Sequence, residues 1–316
     1  MVLDKTPRIM FDDTEGVDMK KGVTLVVCFS RRWCIHNFFA CMTKLKLPDE
    51  PVHLLMFDNN ESVLLFEELS KEYEKYKGAF ASARYYKSFR TGGALRSEAK
   101  KSSYKLSKLP KIYAMHRDVI KMLTTERFVM LEDDTLFPGN CMVKLLKLID
   151  NNNDVGIAIG ISTGRSPTKH IPTRLGVHYL EMENGFIRRR ISPRDTLKGI
   201  YEVDCCGWYC FASYKTIWAK GFVGMSKYLH KIPRFALDNY HTYNIHKMGY
   251  KILADFSIWT KHMNANQDRI LFWTKGDAVP MLDIWLPEFN VYAQGVRLIK
   301  GQDTKYLRKW KGTTKK

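Results

Sequence analysis

No stretch of this chain approaches the ~18 uninterrupted apolar residues that a membrane-spanning helix needs. Its N-terminus, Met1-Val2-Leu3-Asp4-Lys5-Thr6-Pro7-Arg8, lacks the long apolar core of a secretory signal. These absences make a soluble, cytoplasmic protein the expectation, in the host cytoplasm if the source is a virus. Paired cysteine spacing is missing too. The seven cysteines, Cys28, Cys34, Cys41, Cys141, Cys205, Cys206 and Cys210, are odd in number and hold no CxxC…CxxC pattern. A zinc site is therefore not expected from Cys205, Cys206 and Cys210. Thiols inside apolar runs read as small core residues in a reducing compartment. No internal repeat is visible. Acidic residues are in short supply: 33 Asp and Glu stand against 51 Lys and Arg, for a formal net charge of +18. That excess favours a polyanionic partner, nucleic acid or an anionic membrane surface.

What the chain does have is apolar sequence in short blocks. With 316 residues and 45% hydrophobic content, it can build one large α/β domain or two small ones. The most informative block is Phe128–Pro138, Phe-Val-Met-Leu-Glu-Asp-Asp-Thr-Leu-Phe-Pro. Four apolar residues run into three acids, the pattern of a strand buried on both faces that ends in negative charge. Ligands of open α/β sheets bind just past such carboxyl ends. Glu132, Asp133 and Asp134 repel one another there, and a hard divalent cation, Mg²⁺ or Mn²⁺, is a natural partner. A polar loop that happens to carry acids fits the same residues.

In order along the chain, residues 1–22 read as a polar leader. Val23–Phe29 is a β-branched strand and Cys34–Leu45 a helix. Val52–Phe57 is a second buried strand ending in Asp58-Asn59-Asn60-Glu61, and Ser62–Tyr76 an amphipathic helix. Alternation of this kind predicts a parallel sheet with crossover helices. A third strand is expected over Ala79–Tyr86. Arg90–Lys108 is basic, carries Gly92-Gly93 and reads as a mobile loop, with a helix over Ile112–Leu123. After the acidic strand come a helix over Cys141–Ile149 and a strand over Val155–Ile161. A Ser/Thr/Pro-rich loop with Arg165, Lys169 and Arg174 follows, then a hairpin over Gly176–Ile191 that contains Arg188-Arg189-Arg190. Gly207, within Tyr201–Phe211, marks a close backbone approach. A helix over Arg234–Met248 opens near Asp238, a strand spans Lys251–Trp259, and His262 lies just past it. The chain ends in a basic tail.

Three separated stretches then fall into one order: an apolar strand ending in Asp58-Asn59; a second ending in Glu132-Asp133-Asp134; and a Gly-aromatic strand followed by Leu237-Asp238-Asn239, Gly249-Tyr250-Lys251 and His262. Over residues 23–265 this resembles the GT-A glycosyltransferases, above all their inverting members that use nucleotide-diphosphate sugars. Glu132-x-Asp134 stands where the family has its "DxD" signature, with Glu for the first Asp. The resemblance implies a Rossmann-like, mostly parallel α/β sheet flanked by helices, and leaves 266–316 as a basic C-terminal extension. It places Asp58, Glu132 and Asp133 on the nucleotide, Glu132 facing the ribose or the metal. It makes Asp134 the metal ligand, His262 a further metal or diphosphate contact, and Asp238 the general base. Where the family has paired acids, this chain has Leu237-Asp238. On the residues alone, Asp238 also fits a helix N-cap, His262 a surface histidine, Asp58 a turn, and Trp208 and Tyr209 either core or acceptor platform.

The resemblance implies Mn²⁺ or Mg²⁺ and a nucleotide diphosphate sugar, a UDP-sugar by default. Charge selects the expected acceptor: a hydroxylated base in DNA, flipped from the duplex for modification. A surface polysaccharide or lipid-linked sugar at an anionic membrane is the alternative. A non-catalytic nucleic-acid-binding module on this fold is another.

Overall fold

The computed structural model describes residues 7–30, 34–59, 64–88, 101–162, 176–182, 186–190, 199–223, 237–262, 265–266, 269–270 and 308–309. Of residues 101–111, 178–182, 186–190 and those from 261 onward it describes the backbone.

The first half alternates as its apolar blocks predict. Strand β2 (Val23–Phe29) leads to helix α1 (Ile35–Met42), β3 (Val52–Asp58), α2 (Leu64–Glu74), β4 (Ser82–Lys87), α3 (Lys101–Met122) and β5 (Arg127–Glu132). β4, β3, β2 and β5 are adjacent in that order, and all pair in parallel. Every residue of β2 and of β3 is buried. That explains their continuous apolar sequence, because parallel strands covered by helices on both faces leave no side for water.

The second half departs from strict alternation. After β5 come the two-residue β6 (Thr135–Leu136), α4 (Cys141–Asp150), β7 (Val155–Ser162), the hairpin β8 (Val177–Met182) and β9 (Phe186–Arg190), β10 (Ile200–Val203) and β11 (Cys205–Cys206). Next are β12 (Cys210–Tyr214), α5 (Lys215–Lys220), α6 (Leu237–Lys247) and β13 (Lys251–His262). β12 slots antiparallel between β5 and β7, and β7 pairs in parallel with β13. β4, β3, β2, β5, β7 and β13 therefore all point one way, in a large α/β sheet flanked by helices. All seven cysteines are buried thiols outside any disulfide.

Several boundaries differ from expectation for physical reasons. Within the expected leader, β1 (Arg8–Asp13) forms the sheet edge, antiparallel to β4 and bulged between Ile9 and Phe11. Mostly exposed, it carries the polar sequence of an edge strand, which is why it reads as a leader. Within the expected C-terminal extension, the two-residue strand Arg308–Lys309 pairs with β10. The third parallel strand starts later, at Ser82, after a 3-10 turn over Lys77–Ala79. Residues 101–108, expected in a loop, belong to α3, which runs on through Pro110. A proline inside a helix removes one backbone donor and disfavours the helix, and that signal hides the helix start in the sequence. The rest of the Arg90–Lys108 stretch, the loop holding Arg165, Lys169 and Arg174, and the tail beyond Lys309 lie outside the described residues. So do the side chains of Arg188–Arg190.

Candidate active site

Register brings the acidic strand ends level. Phe29 at the end of β2 pairs with Asp58, and Cys28 pairs with Glu132. The backbones of Asp58 and Glu132 thus flank β2 at one edge of the sheet, roughly 10 Å apart across two strand spacings. This is the edge where open α/β sheets bind ligands.

Asp58 lies inside the protein. Its Oδ2 accepts a hydrogen bond from the Tyr85 hydroxyl at 2.5 Å and an ion-paired one from Lys87 Nζ at 2.7 Å. Lys87 is directly opposite on β4. Burial, and then the Asp58 charge, push the Tyr85 phenol well up, so it stays a donor. The neighbouring Asn59 is also buried. Its backbone N–H is taken by Phe29, while its side-chain Oδ1 has no partner. Sequence reasoning passed Asn59 over as turn chemistry, yet its buried Oδ1 is an unpartnered acceptor at the end of β3.

The three acids after β5 face different ways. Asp133 is fully buried, and its Oδ2 accepts from the Ser30 backbone N–H at 2.6 Å and from Ser30 Oγ at 3.3 Å. It ties the end of β2 to the end of β5. Glu132 is half-buried, and its N–H donates to the Tyr209 carbonyl at 3.0 Å. Asp134 is buried and leads straight into β6, which pairs antiparallel with the end of β13. There Thr135 stands opposite His262 and Leu136 opposite Lys261. The backbone of His262 therefore comes beside Asp134-Thr135 from a distant part of the chain; its side chain lies outside the described residues.

Asp238 occupies the first turn of α6. Its Oδ1 accepts from the backbone N–H of Asn239 at 2.8 Å and from Asn239 Nδ2 at 3.2 Å. Its Oδ2 lies over Gly207: a Cβ there would sit 3.2 Å from that oxygen and 3.0 Å from the Tyr209 ring. Gly207 is needed because a carboxylate approaches its α-carbon. Tyr209 is locked in turn, donating its hydroxyl to the Gly160 carbonyl at 2.9 Å with its ring filling the space a Cβ on Gly176 would take. Trp208 and Tyr209 are buried core residues. Since Tyr209 also accepts from Glu132, the segment 207–209 joins Asp238 to the acid cluster.

Among the described residues, no three His, Cys, Asp or Glu side chains form a metal cage. Mg²⁺ or Mn²⁺ needs less: one or two protein ligands, with phosphate oxygens and water completing the shell. Asp134 and the neighbouring Thr135, whose Oγ1 is fully buried with no partner, fit that demand on the strand paired with His262.

No family model matches the chain, and no curated protein matches its sequence. Solved structures do match. The crystal structure of GalNAc-T7 with UDP, GalNAc and Mn²⁺ superposes with a TM-score of 0.51 at 12% identity, covering 78% of this chain and 44% of that one. The fold is that of the GT-A glycosyltransferases. The mannosyltransferase PcManGT from Pyrobaculum calidifontis, in complex with GDP-Man and Mn²⁺, gives a TM-score of 0.46 at 10% identity, covering 79% of this chain and 59% of that one. The chain thus spans less than two thirds of the length of either. On the GT-A fold, the edge that carries Asp58, Glu132–Asp134 and Asp238 is the carboxyl edge of the central strands.

Proposed function

We propose that this chain is a metal-dependent glycosyltransferase that moves a sugar from a nucleotide diphosphate sugar to a hydroxyl acceptor. The observation that carries it is convergence: the Glu132–Asp134 cluster, the His262 backbone paired to Thr135, and Asp238 joined to Glu132 through Gly207–Tyr209 share one edge of a GT-A sheet. Asp134 and His262 would hold a Mn²⁺ or Mg²⁺ ion, which when bound would supply charge to stabilise the departing diphosphate. Asn59, beside Asp58, and Glu132 contact the nucleotide, with uridine as the default base. Asp238, one oxygen held by Asn239 and the other beside Gly207, takes the proton from the acceptor hydroxyl. A single base implies one displacement with inversion.

The acceptor reading is a hydroxylated base in DNA, supported by the net charge of +18. A polysaccharide or lipid-linked sugar is the competing acceptor.

Thermal stabilisation against UDP, GDP and other nucleotides, with and without Mn²⁺, tests the donor site, because a ligand of the folded state raises stability by mass action. The expected result is a nucleotide shift that requires Mn²⁺ and disappears in Asp134→Ala. Labelled donor with hydroxymethylated DNA, oligosaccharide or lipid-linked sugar then separates the acceptors. No nucleotide shift and no label transfer would sink the transferase reading. DNA binding without either would leave the non-catalytic module.

A further inference from the structure

Behind the acid cluster lies an aromatic box that none of the assigned roles uses. Trp208 is its hub: its ring centroid is 4.0 Å from that of His116, 5.3 Å from His241 and 5.8 Å from Trp218. Phe222 closes it, 4.1 Å from His241. His241 donates its Nε2–H to the Trp218 carbonyl at 2.9 Å. Four buried nitrogens in this box have no hydrogen-bond partner: His116 Nδ1, His241 Nδ1, Trp208 Nε1 and Trp218 Nε1. A box of phenyl rings would fill the same space without leaving polar atoms unsatisfied, so stability alone does not account for these residues.

Their placement does. The segment Gly207-Trp208-Tyr209 touches both ends of the site: Gly207 abuts the Asp238 carboxylate, Trp208 packs on His116, and the Tyr209 carbonyl holds the Glu132 N–H. His116 comes from α3, and the Glu132 charge acts on its imidazole. Burial nonetheless keeps that imidazole neutral, so the ring adds shape and a dipole beside Glu132 without a competing charge.

We propose that His116 and Trp208 are positioning residues whose tilted ring contact, 53° between planes, fixes the separation between Glu132 and Asp238. The inference rests on the transferase reading for its catalytic consequence and on geometry alone for the rest. The pair acts through the backbone of residues 207–209 and touches no substrate.

The test compares Trp208→Ala, Trp208→Phe, His116→Ala and His116→Phe with the parent by steady-state kinetics, thermal unfolding and crystal structure. A misplacement near 1 Å at a reacting group lowers turnover roughly 100-fold. Trp208→Ala is expected to lose about that much kcat while KM for the nucleotide sugar stays within about threefold. Trp208→Phe, which keeps a ring on His116, recovers most of it. His116→Phe, which keeps a ring on Trp208, raises Tm because an orphaned buried nitrogen is gone, and holds kcat within about threefold of the parent. His116→Ala removes the ring contact and lowers kcat with KM little changed. A Trp208→Ala or His116→Ala kcat within about threefold of the parent, or a loss that the ring-keeping variants do not recover, overturns the proposal. If Trp208→Ala does not fold, His116→Ala decides. If the parent transfers no sugar, the transferase reading falls, and the crystal structures decide this one. Asp238 shifted by about 1 Å relative to Glu132 in the alanine variants supports it, and unmoved carboxylates overturn it.

Discussion

Lowering the pH from 7 to 5 should destabilise this protein through two buried imidazoles. His116 and His241 lie in the Trp208–Trp218 box. Burial lowers His116 from 6.5 to about 3, against an opposing pull from the Glu132 charge. Burial likewise lowers His241 from 6.5 to about 3; its hydrogen bond to the Trp218 carbonyl opposes the shift, and the His116 charge adds to it. The sign follows from which state binds more protons. Between the folded and unfolded values, the unfolded chain is protonated at both positions and the folded chain at neither. Stability is therefore full above the unfolded value near 6.5 and is lost as pH falls toward the folded value near 3. At 1.36 kcal/mol per pKa unit, each imidazole should remove about 2 kcal/mol between pH 7 and 5, and the pair about 4. That is a large part of the 5–15 kcal/mol typical of a folded domain. Urea unfolding at pH 7, 6 and 5 measures it, and His116→Phe isolates the effect from the other histidines by removing about half of the pH dependence. A denaturation midpoint that is flat from pH 7 to 5, or a slope that His116→Phe leaves unchanged, would refute the buried neutral imidazoles.

Three further outcomes follow from contacts in the fold. Lys87→Met removes the ion-pair partner of the buried Asp58 carboxylate, and should cost about 3–5 kcal/mol and lower Tm by roughly 10 °C. Adding Asp58→Asn should regain most of that loss, and two independent losses in a double-mutant cycle would show that the pair is not coupled. Gly176→Ala places a methyl 2.3 Å from Cε1 of Tyr209, whose hydroxyl is tied to Gly160, so an overpacking loss of about 1–3 kcal/mol is expected in chemical denaturation. Asp238→Asn keeps the shape beside Gly207 and removes the base; kcat should fall about 10²–10⁴-fold with nucleotide affinity unchanged. Full activity in that variant would remove Asp238 from the mechanism.

The parallel half of the sheet was legible because burial on both faces leaves an uninterrupted signature. Val23–Phe29 reads as a strand with the bounds it has, and Val52–Phe57 ends one residue short. β1 was not legible. Six residues, five of them exposed, carry little apolar pattern, and the partner that makes them a strand is β4, far along the chain. In the site, the kinds of residue were visible but their directions were not. Asp133 looked like its neighbours Glu132 and Asp134, yet turns inward to Ser30. Asp58 looked like a ligand-facing acid, yet Lys87 neutralises it. Asn59 and the His116–Trp208 pair carried no pattern that would set them apart.

Local order of apolar and acidic residues was enough to determine that this chain alternates strands and helices and gathers acids at strand ends, because backbone periodicity and burial act over a few neighbours. Which acid is braced, which is paired and which stands beside Gly207 was decided only when β5 came beside β2, β4 beside β3, and α6 against the segment that holds Gly207. Those pairings join segments far apart in sequence, and the direction of a carboxylate depends on the donors such segments bring to it.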